Sequence, residues 1–146
     1  MCRADRPHGF TLVEALVVMA IVAVLVALAW PSLQGHWLRA RRADAVLALL
    51  QLQQQQLRWR ADHARYADAT ELGAPGPSPD GHFRLAVDAP DLHGFTLVAR
   101  ADGPQRADRP CATFQLVQQH ADTRLQSFTA DGRANTATEN RRCWGR

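Results

Sequence analysis

One carboxylate, Glu14, stands in an apolar run, Phe10 to Trp30 (FTLVEALVVMAIVAVLVALAW), that holds no other ionisable side chain. A charged residue at bilayer depth costs on the order of 2.5 to 3.5 kcal/mol on insertion scales, so an acid placed there normally has a partner. The chemistry open to it is ion pairing, which offsets two desolvation costs and thereby favours one relative placement of two chains. The plainer alternative is an ordinary membrane anchor that tolerates one acid near its end.

A second group lies near the C-terminus, where Arg124, Arg133, Arg141, Arg142 and Arg146 accompany Trp144. Guanidinium groups hold backbone phosphates and an indole stacks on a base, so this set is a candidate DNA or ligand contact. Asp122, Asp131 and Glu139 dilute it. His120 with Asp122, and Asp131 with Asn135 and Glu139, carry metal-ligand chemistry, but neither set has the spacing of a binding loop, and no metal or other cofactor is expected. The chain has no His-Glu-x-x-His pair, no Gly-x-Ser-x-Gly elbow and no phosphate loop, so the reading is of a non-enzyme.

The elements that must position these residues are legible from periodicity. Twenty-one residues from Phe10 to Trp30 make about 31 Å of helix, one bilayer core. Pro31 follows and is expected to bend or locally open the helix without ending it. From Ser32 to Tyr66 a helical pattern resumes, with Leu33, Trp37, Ala40, Ala43, Leu47, Leu50, Leu57, Ala61 and Ala64 as the expected buried stripe. The glutamine run Gln51 to Gln56, broken by Leu52, fits this helix because glutamine is a good helix former. Residues 67–81 hold Gly73, Pro75, Gly76, Pro77, Pro79 and the Asp80-Gly81 pair and read as a loop. Four strands are expected over His82 to Val87, Gly94 to Arg100, Ala112 to Gln118 and Arg124 to Ala130, in an antiparallel meander. The fold class is therefore α+β, with the upper half of the helix packed on a four-stranded sheet. Of the 146 residues, seventeen are basic, all of them arginine, and the formal charge is only +3, too small an excess to argue nucleic-acid binding by itself.

A short polar leader, Met1 to Gly9 (MCRADRPHG), precedes the apolar run, and its candidate cleavage site comes before the apolar segment, where a secretory signal has it after. Gly9, Phe10, Thr11, Leu12, Val13 and Glu14 resemble the class III signal of type IV pilins and pseudopilins, and the chain is most similar to small minor pilins of the type IVa group. The resemblance implies cleavage after Gly9 by a prepilin peptidase, N-methylation of Phe10, and Glu14 as the fifth mature residue. The cationic amine of a neighbouring subunit would then meet Glu14 and set the stagger of a filament, with Pro31 where many such helices kink. It also implies a type IV pilin fold, divided into leader 1–9, membrane and assembly helix 10–31, amphipathic continuation 32–66, αβ loop 67–81, and sheet with a C-terminal loop 82–146. Loss of the leader would remove Cys2 and leave Cys111 and Cys143, an even pair in an exported domain. The family commonly closes a C-terminal loop with such a disulfide, worth roughly 3 to 4 kcal/mol on chain-entropy grounds, and two unpaired thiols are the alternative.

The partners implied are other pilins, the peptidase, the inner-membrane assembly machinery and the membrane, with DNA as a further candidate. The C-terminal domain would be periplasmic before assembly and part of a cell-surface pilus after it. One observation opposes this orientation. Arg39, Arg41 and Arg42 follow the apolar run, against Arg3 and Arg6 before it, and that count taken alone argues for a cytoplasmic domain. The function implied is a structural subunit serving pilus biogenesis, twitching motility, adhesion or DNA uptake. A DNA- or surface-binding receptor pilin and a type II secretion pseudopilin are the alternatives.

Overall fold

The computed structural model describes residues 11–88 and 90–145, without the side chains of residues 31 and 32. Two compact units divide the chain, Met1–His36 and Trp37–Arg146. Helix α1 runs from Leu12 to Asp62 and stays helical through position 31. Thr11 caps its start, its Oγ1 accepting from the Glu14 backbone N–H at 3.2 Å. The stretch Leu12–Trp30, 19 residues, is long and apolar enough to cross a bilayer, and none of it is buried within the chain.

The second unit contains the sheet. Strands β1 (Phe83–Asp88), β2 (Gly94–Ala101), β3 (Thr113–Gln119) and β4 (Asp122–Phe128) lie in that order, each antiparallel to the next. The expected meander and its four strands are present, with ends shifted by one or two residues. One turn is tighter than expected. Gln119 pairs with Asp122, so His120 and Ala121 alone make the β3–β4 turn, and His120 takes a φ of 54° to do so. At the β1–β2 loop, Asp91 Oδ1 accepts from the backbone N–H groups of His93 and Gly94, at 2.6 Å each. A Cβ on Gly94 would stand 2.1 Å from the Gln118 carbonyl oxygen, so only glycine lets β2 start this close to β3.

Phe83, Phe95, Leu97, Phe114 and Leu116 form the core of the sheet's inner face, with Ala45, Leu49 and Leu52 of α1 against them. This corrects the expected stripe. Trp37, Leu47, Leu50 and Leu57 are exposed, Trp37 at 64%, and the buried face holds Asp44, Ala45, Ala48, Leu49, Leu52 and Gln56. Two alanines let the sheet approach the helix closely, and the two polar residues are buried because each is fully occupied. Asp44 accepts from Ser78 Oγ (2.5 Å), Asp80 N (3.1 Å) and His82 N (3.3 Å). Gln56 clamps the Ala67 backbone, donating to its carbonyl at 2.8 Å and accepting from its N–H at 2.9 Å. A pattern reading that scores only apolar residues discards Asp44 and Gln56 and so selects the wrong face.

α1 also ends earlier than Tyr66. His63 folds back on the last turn, its Nδ1 2.9 Å from the Trp59 carbonyl and its ring 3.8 Å from the indole. Tyr66 leaves the helix direction and packs edge-on against Phe95 at 4.8 Å. Burying that ring outweighs one further helical turn.

Both edges of the sheet are covered. Residues 76–78 lie along β1, with Leu85 N donating to the Gly76 carbonyl and Ser78 N to the Phe83 carbonyl. The C-terminal segment lies along β4, bridging Phe128 to Ala134 and donating from Asn135 N to the Ser127 carbonyl. A short helix absent from the sequence reading, α2 (Ala137–Cys143), follows, with Thr136 and Glu139 in a reciprocal capping box.

Candidate assembly segment and nucleic-acid interface

The assembly segment begins outside the described residues, since Gly9, the cleavage position, and Phe10, the methylation position, both lie there, as does the side chain of Pro31. Glu14 is described. It is exposed on the first turn of α1, and its carboxylate meets no hydrogen-bond or ion-pair partner among the described residues. Thr11 and Glu14 have the Thr-x-x-Glu spacing of a capping box, a local signal that places the helix start.

The C-terminal loop is closed by the Cys111–Cys143 disulfide, with a Cα separation of 5.6 Å. The expected pairing is thus present, and the tail it ties down contributes to the core. Trp144 is buried, edge-on to Phe114 at 5.4 Å, and its indole N–H donates to the Gln126 carbonyl at 3.2 Å. Asn140 spans from the Ser127 hydroxyl, 2.8 Å from its Oδ1, to the Leu125 carbonyl, which accepts from its Nδ2 at 2.8 Å.

The candidate arginines separate. Arg133 is paired with Glu139 at 3.2 Å, and this pair, with the Thr136 contacts, holds the Glu139 carboxyl down to about 2. Arg141 is exposed and lies with Trp144, Thr123 and Leu125 around one shallow cleft. Arg142 lines a different cleft with Arg39, Arg42 and the disulfide. Arg124 belongs to the row Val117 to Arg124, on the sheet face opposite the core. Trp144 is mostly buried yet lines both the Arg141 cleft and a second one with Arg142, whereas Arg133 is paired with Glu139 and Arg124 lies on the outer sheet face. Asn135 donates to the Pro110 carbonyl and the Ser127 hydroxyl, and Glu139 serves the α2 cap, so two of the three residues weighed as metal ligands, Asp131 being the third, make other contacts.

Sequence reading also missed a buried ionic latch. Arg42 of α1 meets Asp108 with two bonds, 2.7 Å from Nε and 2.9 Å from an Nη, and donates to the Arg142 carbonyl at 3.3 Å. Gln105, fully buried, donates to Asp108 and to the Leu38 carbonyl. The latch joins the helix, the β2–β3 connection and α2 beside the disulfide. Its partners are 66 and 100 residues apart in the chain, which leaves no local signal.

Residues 31–115 match the family model described as type IV minor pilin ComP, DNA uptake sequence receptor, and residues 5–30 match the prokaryotic N-terminal methylation motif. Among curated relatives, the type II secretion system core protein G of Pectobacterium carotovorum subsp. carotovorum is 38% identical over 136 residues, covering 90% of this chain and 81% of that protein. The Klebsiella pneumoniae core protein G is 36% identical over 84 residues, 55% of this chain and 59% of the relative. The type IV major pilin protein PilA of Myxococcus xanthus (strain DK1622) is 33% identical over 88 residues, 59% of this chain and 40% of the relative. With a long apolar N-terminal helix, a four-stranded antiparallel sheet, a C-terminal disulfide and a family match over more than half its length, the chain belongs to the ComP family of type IV minor pilins.

Proposed function

We propose that this minor pilin is cut after Gly9 by a prepilin peptidase, methylated on Phe10, and drawn from the inner membrane into a type IV pilus, where its periplasmic domain becomes surface-exposed and binds DNA during uptake. The observation that carries the reading is the match of residues 31–115 to a DNA-receptor pilin family directly after a methylation motif at 5–30. The Glu14 carboxylate, without a partner among the described residues, supports the assembly step, because a neighbouring N-terminal amine would neutralise it within the apolar bundle. The exposed stripe Trp37, Leu47, Leu50 and Leu57 supports it too, as apolar area that a filament would cover.

Intact mass of the protein from membranes of a cell with a prepilin peptidase tests the processing. Loss of residues 1–9, one added methyl group, and two further hydrogens only after reduction are expected; a chain that still starts at Met1 refutes it. A type II secretion pseudopilin is the second reading, favoured by the alignment over 136 residues to core protein G. Recovery of the chain in sheared pili, with secretion unaffected by its deletion, excludes that reading.

A further inference from the structure

The outer face of the sheet carries a charge arrangement that stability alone does not account for. Arg84 of β1 and Arg100 of β2 are direct cross-strand partners. Like charges placed opposite each other on an antiparallel pair are destabilising. Asp102, two residues beyond Arg100, offsets only part of this. Its Oδ2 accepts from Arg84 Nε at 2.8 Å and its Oδ1 from Arg106 Nη2 at 2.6 Å, while the Gly103 N–H also donates to Oδ1 at 2.9 Å. Arg100 is exposed and has no ion-pair or hydrogen-bond partner among the described residues. Two guanidinium groups therefore share one carboxylate while the third has none, and the side chains of Arg84 and Arg106 are 73% and 71% exposed even while paired. Arg124 lies on this same face, two strands across from Arg100 and four rungs along, roughly 16 Å away at ordinary strand spacing. Asp88 and Asp122 occupy the far rows of the face, so the positive excess is concentrated at the Arg84–Arg100 end.

We infer that Arg84, Arg100 and Arg106 form a phosphate-binding site for the nucleic-acid backbone, with Asp102 as the positioning residue that holds two of the three guanidinium groups. This deepens the DNA-binding reading above and rests on it. Several features favour this ligand. A planar guanidinium presents a fork that matches phosphate oxygens with two parallel bonds. All four residues lie inside the span that matches the receptor family, which ends before Arg124 and the C-terminal arginines. Phosphate contact supplies affinity without reading sequence, so any base discrimination would come from other residues.

The test is titration of a fluorescent 30-base-pair duplex with the full chain in neutral detergent micelles, between about 50 and 200 mM salt. Arg100→Gln, which breaks no contact in the fold, is expected to weaken binding several-fold and to make the slope of log K against log salt shallower by about 1. Arg84→Gln with Arg100→Gln is expected to make it shallower by about 2, and Arg133→Gln to leave it unchanged. A wild-type chain that binds no duplex refutes the DNA-binding reading itself. A wild-type chain that binds with a slope insensitive to Arg100→Gln refutes only this site. Equal, Arg100-dependent binding to phosphatidylglycerol vesicles but not to DNA assigns the face to a membrane surface and overturns the proposal.

Discussion

At the scale of single residues, buried polar side chains locate the αβ loop more firmly than apolar ones do. Asp44 collects three donors from Ser78, Asp80 and His82, and Ser78 Oγ in turn accepts from Phe83 N at 2.9 Å. The loop and the start of β1 are thus hung from one carboxylate on the helix. Removing it strands a buried hydroxyl and two part-buried N–H groups, at about 1 to 3 kcal/mol for a fully buried group and less where water or loop relaxation satisfies it. Asp44→Ala is expected to lower unfolding free energy by about 2 to 4 kcal/mol in chemical denaturation. A loss under about 0.5 kcal/mol, the size of an ordinary surface substitution, would show that the loop is held by other contacts.

At the scale of elements, α2 shows how a short helix is made stable by its ends. Seven residues are too few to persist by propensity, so the Thr136–Glu139 capping box, the Arg133 pair and the Cys143 cross-link must hold it. The Glu139 carboxyl is lowered from the ordinary glutamate value to about 2, first by the bond from Arg133 and then by those from Thr136. A depressed folded-state value means stability that is present above the unfolded value near 4.5 and is lost as pH falls toward 2. Asp68, Glu71, Asp91, Asp102 and Asp131 are lowered too, the first by its Thr70 bond and Glu71 by its Arg65 bond, and they act in the same direction. Thermal midpoints should therefore be flat from pH 5 to 8 and fall below about pH 4.5. Glu139→Gln, which keeps cap geometry without the charge, should make that fall shallower. An unchanged acid limb would mean that the Arg133 pair does not persist in solution.

At the scale of the whole molecule, the chain divides its work between a segment built for partners and a unit built around its own core. Leu12–Trp30 buries nothing within the chain and depends on lipid or on other subunits for cover. Glu14→Ala is expected to leave accumulation in the membrane unchanged while reducing the chain's recovery in sheared pili at least tenfold, as read by quantitative immunoblot. Normal recovery would remove Glu14 from the assembly step.

Read alone, the sequence determined whatever is encoded locally or by period: the apolar span, the Gly9 to Glu14 signal, the loop over 67–81, the order of four strands, and Cys111 with Cys143 as the available pair. Each depends on neighbouring residues or on composition. The tertiary structure alone decided which face of α1 is buried, because Leu47 and Leu50 are as apolar as Leu49 and Leu52, and only the bonds of Asp44 and Gln56 to distant loops break that tie. It likewise withdrew Trp144 from the surface, paired Arg133, and set Arg84 against Arg100 through a register fixed by the β1–β2 loop. Apart from the Arg133–Glu139 pair, six residues apart, these are contacts between residues well separated in the chain, and charge or aromaticity in a sequence does not say which neighbours a side chain will meet.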